Sequence, residues 1–230
     1  MEYFAKMLKR GFKGLSVDES LIFEILCYHT LEEYEQIKEA YKLETKKELI
    51  KDIDKNFSGP IKKNLLNIIS IERRENDRPD KGFCEKLADN LINAGEINWV
   101  NNEDLFKEIF IKCSAYELVL IFRFYYQKTG NNIIDIIEKK YLKENKTLLR
   151  EIIYGIIIPQ ELYAEKIRNS IKKTGINTAL LNRILAIRSE VYMQEIKEIY
   201  ECKYKTSLRD DICGDTSGMY QKLCLFAARC

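Results

Sequence analysis

The chain has 230 residues, 46% of them hydrophobic and 32% charged, with only three prolines and ten glycines. That composition can bury a sizeable core and leaves little loop, which excludes disordered and low-complexity classes. A formal charge of +2 and an isoelectric point near 8.0 fall short of the strongly basic footprint of a dedicated nucleic-acid binder, so any basic surface is local.

The N-terminal "MEYFAKMLKR" lacks both the apolar core and the small-residue cleavage site of a signal peptide. The longest apolar run, "EIIYGIIIP" from Glu151, is too short to cross a bilayer and is stopped by Pro159. The seven cysteines are therefore expected as reduced thiols of a cytosolic protein. With no C-x-x-C pair and His29 the single histidine, zinc is not expected.

In chain order, "EYFAKMLKR", "DESLIFEILCYH", "LEEYEQIKEAYKL", "KKELIKDID" and "GPIKKNLLNII" each place apolar residues three or four apart, the helical period. Five short helices follow, with the loop "KGLS" separating the first two and Asp18 placed to cap the second. The stripes "LIFEILC", "LVLIFRFYY" and "LLNRILAI" read as core faces.

The punctuation then repeats. At an offset of 159, Asp52, Ile53, Ser58, Gly59 and Lys63 fall on Asp211, Ile212, Ser217, Gly218 and Lys222, while Tyr41 falls on Tyr200 and Ile25 on Ile184. A more diverged copy lies between: Gly14 matches Gly95, and beyond a three-residue insertion His29 matches Cys113 and Asn56 matches Lys140. The units expected are 1–70, 84–158 and 159–230, with "IERRENDRPDKGF" at 71–83 as a charged linker and a tight second seam near Ile157.

These residues carry a family resemblance. The run "FKGLSVDESLIFEIL…EAYKLETKKELIKDIDKNFSG" resembles the annexin repeat, roughly M-K-G-x-G-T-D-E and, some forty residues on, an acid followed by Thr-Ser-Gly. "LINAGEINWVNNEDLFKEIF" resembles the third annexin repeat, three-residue insertion included, and "RILAIRSEVYMQEIKEIY…CGDTSGMYQKLCL" the fourth. The first of the usual four has no counterpart, so the opening unit stands as the second. The resemblance implies an all-α array of three five-helix repeats, a curved disc that docks its convex side on acidic phospholipid through calcium.

Calcium wants several oxygen ligands, and a glycine-rich turn can aim carbonyls at one point while a remote carboxylate closes the shell. Carried over residue by residue, the resemblance puts the carbonyls of the first unit on Phe12, Gly14 and Ser16, but its closing acid is the neutral Asn56, a degenerate site. In the middle unit they fall near Gly95, Asn98 and Val100, and Lys140 replaces the acid, which should exclude calcium. In the last unit Ile171, Lys173 and Gly175 face the acid Asp215, the one set expected to take the ion, weakened by the charge of Lys173. Asp215 and Ser217, like Ser58, are expected to cap the last helix of their unit, whether or not Asp215 also binds calcium.

The loops that share this face also carry lysine. Lys13, Lys62, Lys63, Lys139, Lys140, Lys143 and Lys172 are the expected lipid contacts, together with Trp99 seated at the interface. The alternatives are a solvated face diluted by Glu96, Glu138 and Glu144, and a buried Trp99. Two functions follow: a cytoplasmic protein bound peripherally to acidic phospholipid, its calcium dependence weak or lost, or an adaptor using the scaffold to bind proteins such as cytoskeleton. An enzyme is not expected, because no nucleophile–base pair or phosphate-cradling loop is present. Four-repeat annexins pack the first repeat on the fourth. Without a first repeat, the final unit should expose an apolar surface that a second copy or a protein partner would cover.

Overall fold

The computed structural model describes residues 1–13, 16–171, 175–188 and 191–230. Among them are fifteen α-helices, one π-helical turn and no strand. The first set is α1 (Glu2–Phe12), α2 (Glu19–Leu26), α3 (Leu31–Thr45), α4 (Leu49–Asn56) and α5 (Gly59–Ile68). The second is α6 (Lys81–Ala94), α7 (Glu103–Phe106) running into the π turn Lys107–Ile111, α8 (Ala115–Thr129), α9 (Ile133–Lys140) and α10 (Lys143–Ile157). The third is α11 (Pro159–Ser170), α12 (Thr178–Arg188), α13 (Met193–Tyr204), α14 (Leu208–Asp215) and α15 (Gly218–Ala227). No described helix is long and apolar enough to cross a membrane.

The same local chemistry shapes each set. The second helix starts on an oxygen cap: Asp18, Asn102 and Asn177 accept the amides of Leu21, Leu105 and Leu180, each at 3.1 Å. Orphaned amides of the first turn are thereby satisfied. The third helix ends on a left-handed residue in every set, at Lys46 (φ 59°), Gly130 (φ 72°) and Lys205 (φ 58°). The first helix packs on the third each time, as α1 on α3, α6 on α8 and α11 on α13.

The chain forms two compact units, Met1–Ile157 and Ile158–Cys230, so the first two helix sets share one body. There α10 packs on α2, and α5 on α7 and the π turn. At the α2–α10 contact the Tyr28 hydroxyl donates to the carbonyl and the carboxylate of Glu151, both at 2.7 Å. Its ring lies so close to Gly155 that an added Cβ would sit 1.9 Å from Cε1, so only glycine fits. The core of this body joins Leu8, Ile22, Phe23, Leu65, Trp99, Phe110, Ile121 and Ile153. The second unit has a smaller core around Ile167, Leu181, Ile184, Ile196, Tyr200 and Ile212. Burying each such side chain contributes about 1.5–3 kcal/mol.

Of residues 71–83, expected as a charged linker, 71–80 form no helix and 81–83 open α6. Arg73 donates to the carbonyls of Phe110, at 2.6 Å, and Cys113. Arg74 donates to Glu117 at 3.0 Å and Glu108 at 3.1 Å. Burial pulls the Arg73 guanidinium down to about 10. These two charges tie the segment to the π turn and to the start of α8.

Candidate functional site

In the first and middle sets the loop between the first two helices meets the junction of the last two, and the repeat places the candidate site of the third set at the matching residues. In the first set Phe12, at the end of α1, stacks edge-on against Phe57 at 6.5 Å. The loop closes with the Asp18 amide on the Gly11 carbonyl at 3.0 Å. Ser16 is exposed, and Gly14 lies outside the described residues. Asn56 turns its amide back onto the Asp52 carbonyl of its own helix at 2.7 Å. A neutral side chain that donates to its own backbone cannot close a calcium shell as a bidentate carboxylate would.

The third set repeats this closure, with the Asn177 amide on the Ser170 carbonyl at 2.8 Å. Ile171 is buried, Gly175 takes φ 129°, a conformation that suits glycine, and Lys172 and Lys173 lie outside the described residues. No described backbone amide is bonded to the carbonyls of Ile171 or Gly175. Asp215 ends α14 half-buried, with no hydrogen bond or ion pair to any described residue. The expected caps are not made: Ser58 and Ser217 hold the N-cap positions of α5 and α15 without a side-chain cap bond. Glycines follow both serines at positive φ, 57° at Gly59 and 62° at Gly218. The α14–α15 turn is held by Gln221, which donates to the carbonyls of Thr216 at 2.8 Å and Cys213 at 3.1 Å. With no partner among the described residues, the Asp215 carboxylate is an oxygen donor of the kind calcium takes. No three His, Cys, Asp or Glu side chains gather among the described residues, so backbone oxygens would supply most of the shell.

The middle set is built differently. The carbonyls that would face an ion are used internally: Gly95 accepts the Asn98 amide at 3.0 Å, Asn98 accepts those of Asn101 and Asn102, and Val100 accepts Asn64 Nδ2 at 3.0 Å. Lys140, at the end of α9, forms an ion pair with Glu96 in the α6–α7 loop. The hydrogen bond from this lysine holds the Glu96 carboxyl below the usual carboxylate range. These residues do not fit calcium.

Trp99 corrects an expectation. It is fully buried, its indole N–H donating to the Leu91 carbonyl at 3.1 Å and its ring caged by Tyr125, Tyr141 and Phe110 at 5.8, 6.0 and 6.3 Å. With its polar handle satisfied inside the protein, the ring has no need of an interface.

The lysines are mostly paired. Lys62 meets Asp54 at 2.9 Å, Lys63 meets Glu103 at 3.1 Å and Lys139 meets Asp135 at 3.7 Å. Lys13 and Lys143 are exposed and have no ion pair with a described residue. Lys143 sits at φ 49°, where the other two sets have Gly59 and Gly218.

A polar assembly centred on Glu96 was not anticipated. In the outer sets a tyrosine of the third helix donates to an acid of the fourth: Tyr41 to Asp52 at 2.6 Å and Tyr200 to Asp211 at 2.5 Å. The middle set has Ile136 in place of that acid, and Tyr125 donates to Glu96 at 3.3 Å, joined by Asn131 at 3.2 Å. The missing acid opposite a repeated tyrosine was the available signal.

Known proteins resemble this chain in sequence and fold. The Annexin family model matches residues 3–68 and 163–226. Human annexin A13 is 34% identical over 222 residues, 96% of this chain and 70% of that protein. Mouse annexin A3 is 33% identical, covering 96% of this chain and 68% of that one. The solved structure of annexin III superposes with a TM-score of 0.88 at 31% identity, over 99% of this chain and 70% of that one. Chicken annexin V gives a TM-score of 0.86 at 28% identity, over 98% and 72%. With sequence, helix order and fold in agreement across nearly its whole length, the chain belongs to the annexin family.

Proposed function

We propose that this annexin is a non-catalytic protein that binds acidic phospholipid surfaces peripherally, from the cytoplasmic side, with calcium acting through the Asp215 loop alone. The family is known for calcium-dependent phospholipid binding, and a solved relative is described as calcium-bound annexin (Sm)1. The observation that carries the reading is the contrast among three loop sets in one chain. Asp215 has no described partner, Asn56 is bonded to its own helix, and Lys140 fills its position with an ammonium group. Ile171, Lys173 and Gly175 would offer carbonyls and Asp215 the closing carboxylate; the ion bound there would bridge the loop to lipid phosphate. In this reading Lys13 and Lys143 add attraction to an anionic leaflet, each contributing about 1 kcal/mol when close to it, while paired Lys62, Lys63 and Lys139 add less. Units 1–70, 84–158 and 159–230 correspond in this reading to the second, third and fourth annexin repeats.

Cosedimentation with phosphatidylserine-containing vesicles, in calcium and in chelator, tests the proposal. Binding in both conditions, stronger with calcium, is expected. Binding in neither would overturn it and leave the scaffold reading. One observation favours that second reading as an added property: Met219, Leu223 and Phe226 form an exposed apolar stripe along α15, a surface suited to a second copy or a protein partner.

A further inference from the structure

The middle loop set departs from the calcium pattern in a concerted way. Lys140 stands where the closing acid would be, and the loop carbonyls are turned to internal donors. Glu96 gathers Lys140, Tyr125 and Asn131. The Trp99 amide meanwhile donates to the Tyr141 hydroxyl at 3.2 Å, the residue next to Lys140. Loop and helix end are therefore joined by an ion pair and by a hydrogen bond beside it. At the tips of these two segments stand Ile97, 63% exposed, and Leu142, 75% exposed.

We propose that Lys140 is a built-in counter-ion that does the joining a metal would do elsewhere, so that the middle loops are ordered without calcium and present Ile97 and Leu142 as an apolar anchor to an acidic lipid surface.

The occupant follows from charge and shape. Two isolated aliphatic tips offer too little area for a protein interface but suit the boundary between headgroups and acyl chains. Lys143, with no ion pair to a described residue, carries a cation beside Leu142, and it does so at φ 49°, a backbone cost that glycine at the matching positions avoids. Asp135 is paired to Lys139, and Glu138 to Lys146 and Arg150, so those acids do not cancel the Lys143 charge. Glu144 is the acid left beside it. The proposal rests on the phospholipid reading above, and it differs from it in needing no metal.

Trp99 is the only tryptophan and lies inside this assembly, so its emission reports the loop in solution with no vesicle present. Lys140→Glu and Glu96→Lys alone should each red-shift that emission and raise acrylamide quenching, and the double swap should restore both. Calcium at millimolar levels should leave the wild-type emission unchanged. Single variants indistinguishable from wild type, no recovery in the double swap, or a calcium-induced shift in wild type would each overturn the counter-ion role. In chelator, Ile97→Ser combined with Leu142→Ser should lower the affinity for phosphatidylserine–phosphatidylcholine vesicles about tenfold while Trp99 stays buried. Binding equal to wild type would overturn the anchor. A chain that binds only with calcium also overturns the anchor; one that binds in neither condition overturns the broader lipid reading as well, and the solution measurements still decide what Lys140 does.

Discussion

Asp215 leaves the end of α14 with no bond to a described residue, and this separates its possible roles. Because α15 takes no side-chain cap bond from Ser217, Asp215→Asn should change stability by less than about 0.5 kcal/mol, as surface substitutions do. It should nevertheless remove the calcium-stimulated part of vesicle binding. Urea titration and cosedimentation check the two halves; equal calcium stimulation in the variant would refute the assignment. Lys143 gives a prediction of opposite sign. A left-handed non-glycine residue costs about 1–2 kcal/mol, so Lys143→Gly should raise stability by about 1 kcal/mol in urea, after allowing for the greater freedom of unfolded glycine. The same change should weaken vesicle binding in chelator. Asp18 as a helix cap was legible in the sequence, because a cap acts over three residues. The pairing of Glu96 with Lys140 was not, since the partners stand 44 residues apart and only the fold joins them. Nor was the burial of Trp99, because an amphipathic ring satisfies either environment until its N–H partner is known.

At the level of helices and loops, the first set was legible almost throughout: the apolar periods from Glu2 to Ile68 anticipate α1–α5, and the offset of 159 carries that plan to α11–α15. The contacts of Arg73 and Arg74 ahead of α6 were not legible, because their carbonyl and carboxylate partners stand near 110 and 117, which no local pattern announces. The middle loop adds a pH dependence. The folded pKa of Glu96 is depressed by its bond from Lys140, so its contribution is fully present above the unfolded glutamate value, about 4.3. That contribution is lost as pH falls through the lower folded value. Trp99 emission should hold steady from pH 7 to 5 and shift only in stronger acid, whereas Glu96→Gln should flatten the part of the transition due to this group. A wild-type shift centred near neutrality would contradict this account.

On the scale of the whole chain, the α15 stripe makes self-association measurable. Met219, Leu223 and Phe226 are 78%, 61% and 83% exposed and fall at helical spacing on one face. Sedimentation at micromolar concentration should show a species heavier than the 27.2 kDa monomer, and Leu223→Glu with Phe226→Glu should return it to monomer. A wild-type chain that stays monomeric and does not aggregate would leave the stripe to a different partner.

The division of buried residues between Met1–Ile157 and Ile158–Cys230 also bears on cooperativity. All-or-none melting is expected of a single small domain, and two cores of unequal size need not melt together. Heating should give two calorimetric transitions, with the smaller Ile158–Cys230 core, less able to offset chain entropy, melting first. Trp99 belongs to the larger core, so fluorescence should follow only the later transition while far-ultraviolet circular dichroism records both. Two such transitions would mean that no single melting temperature describes the chain's stability, and a variant that lowers the first midpoint should leave the second untouched.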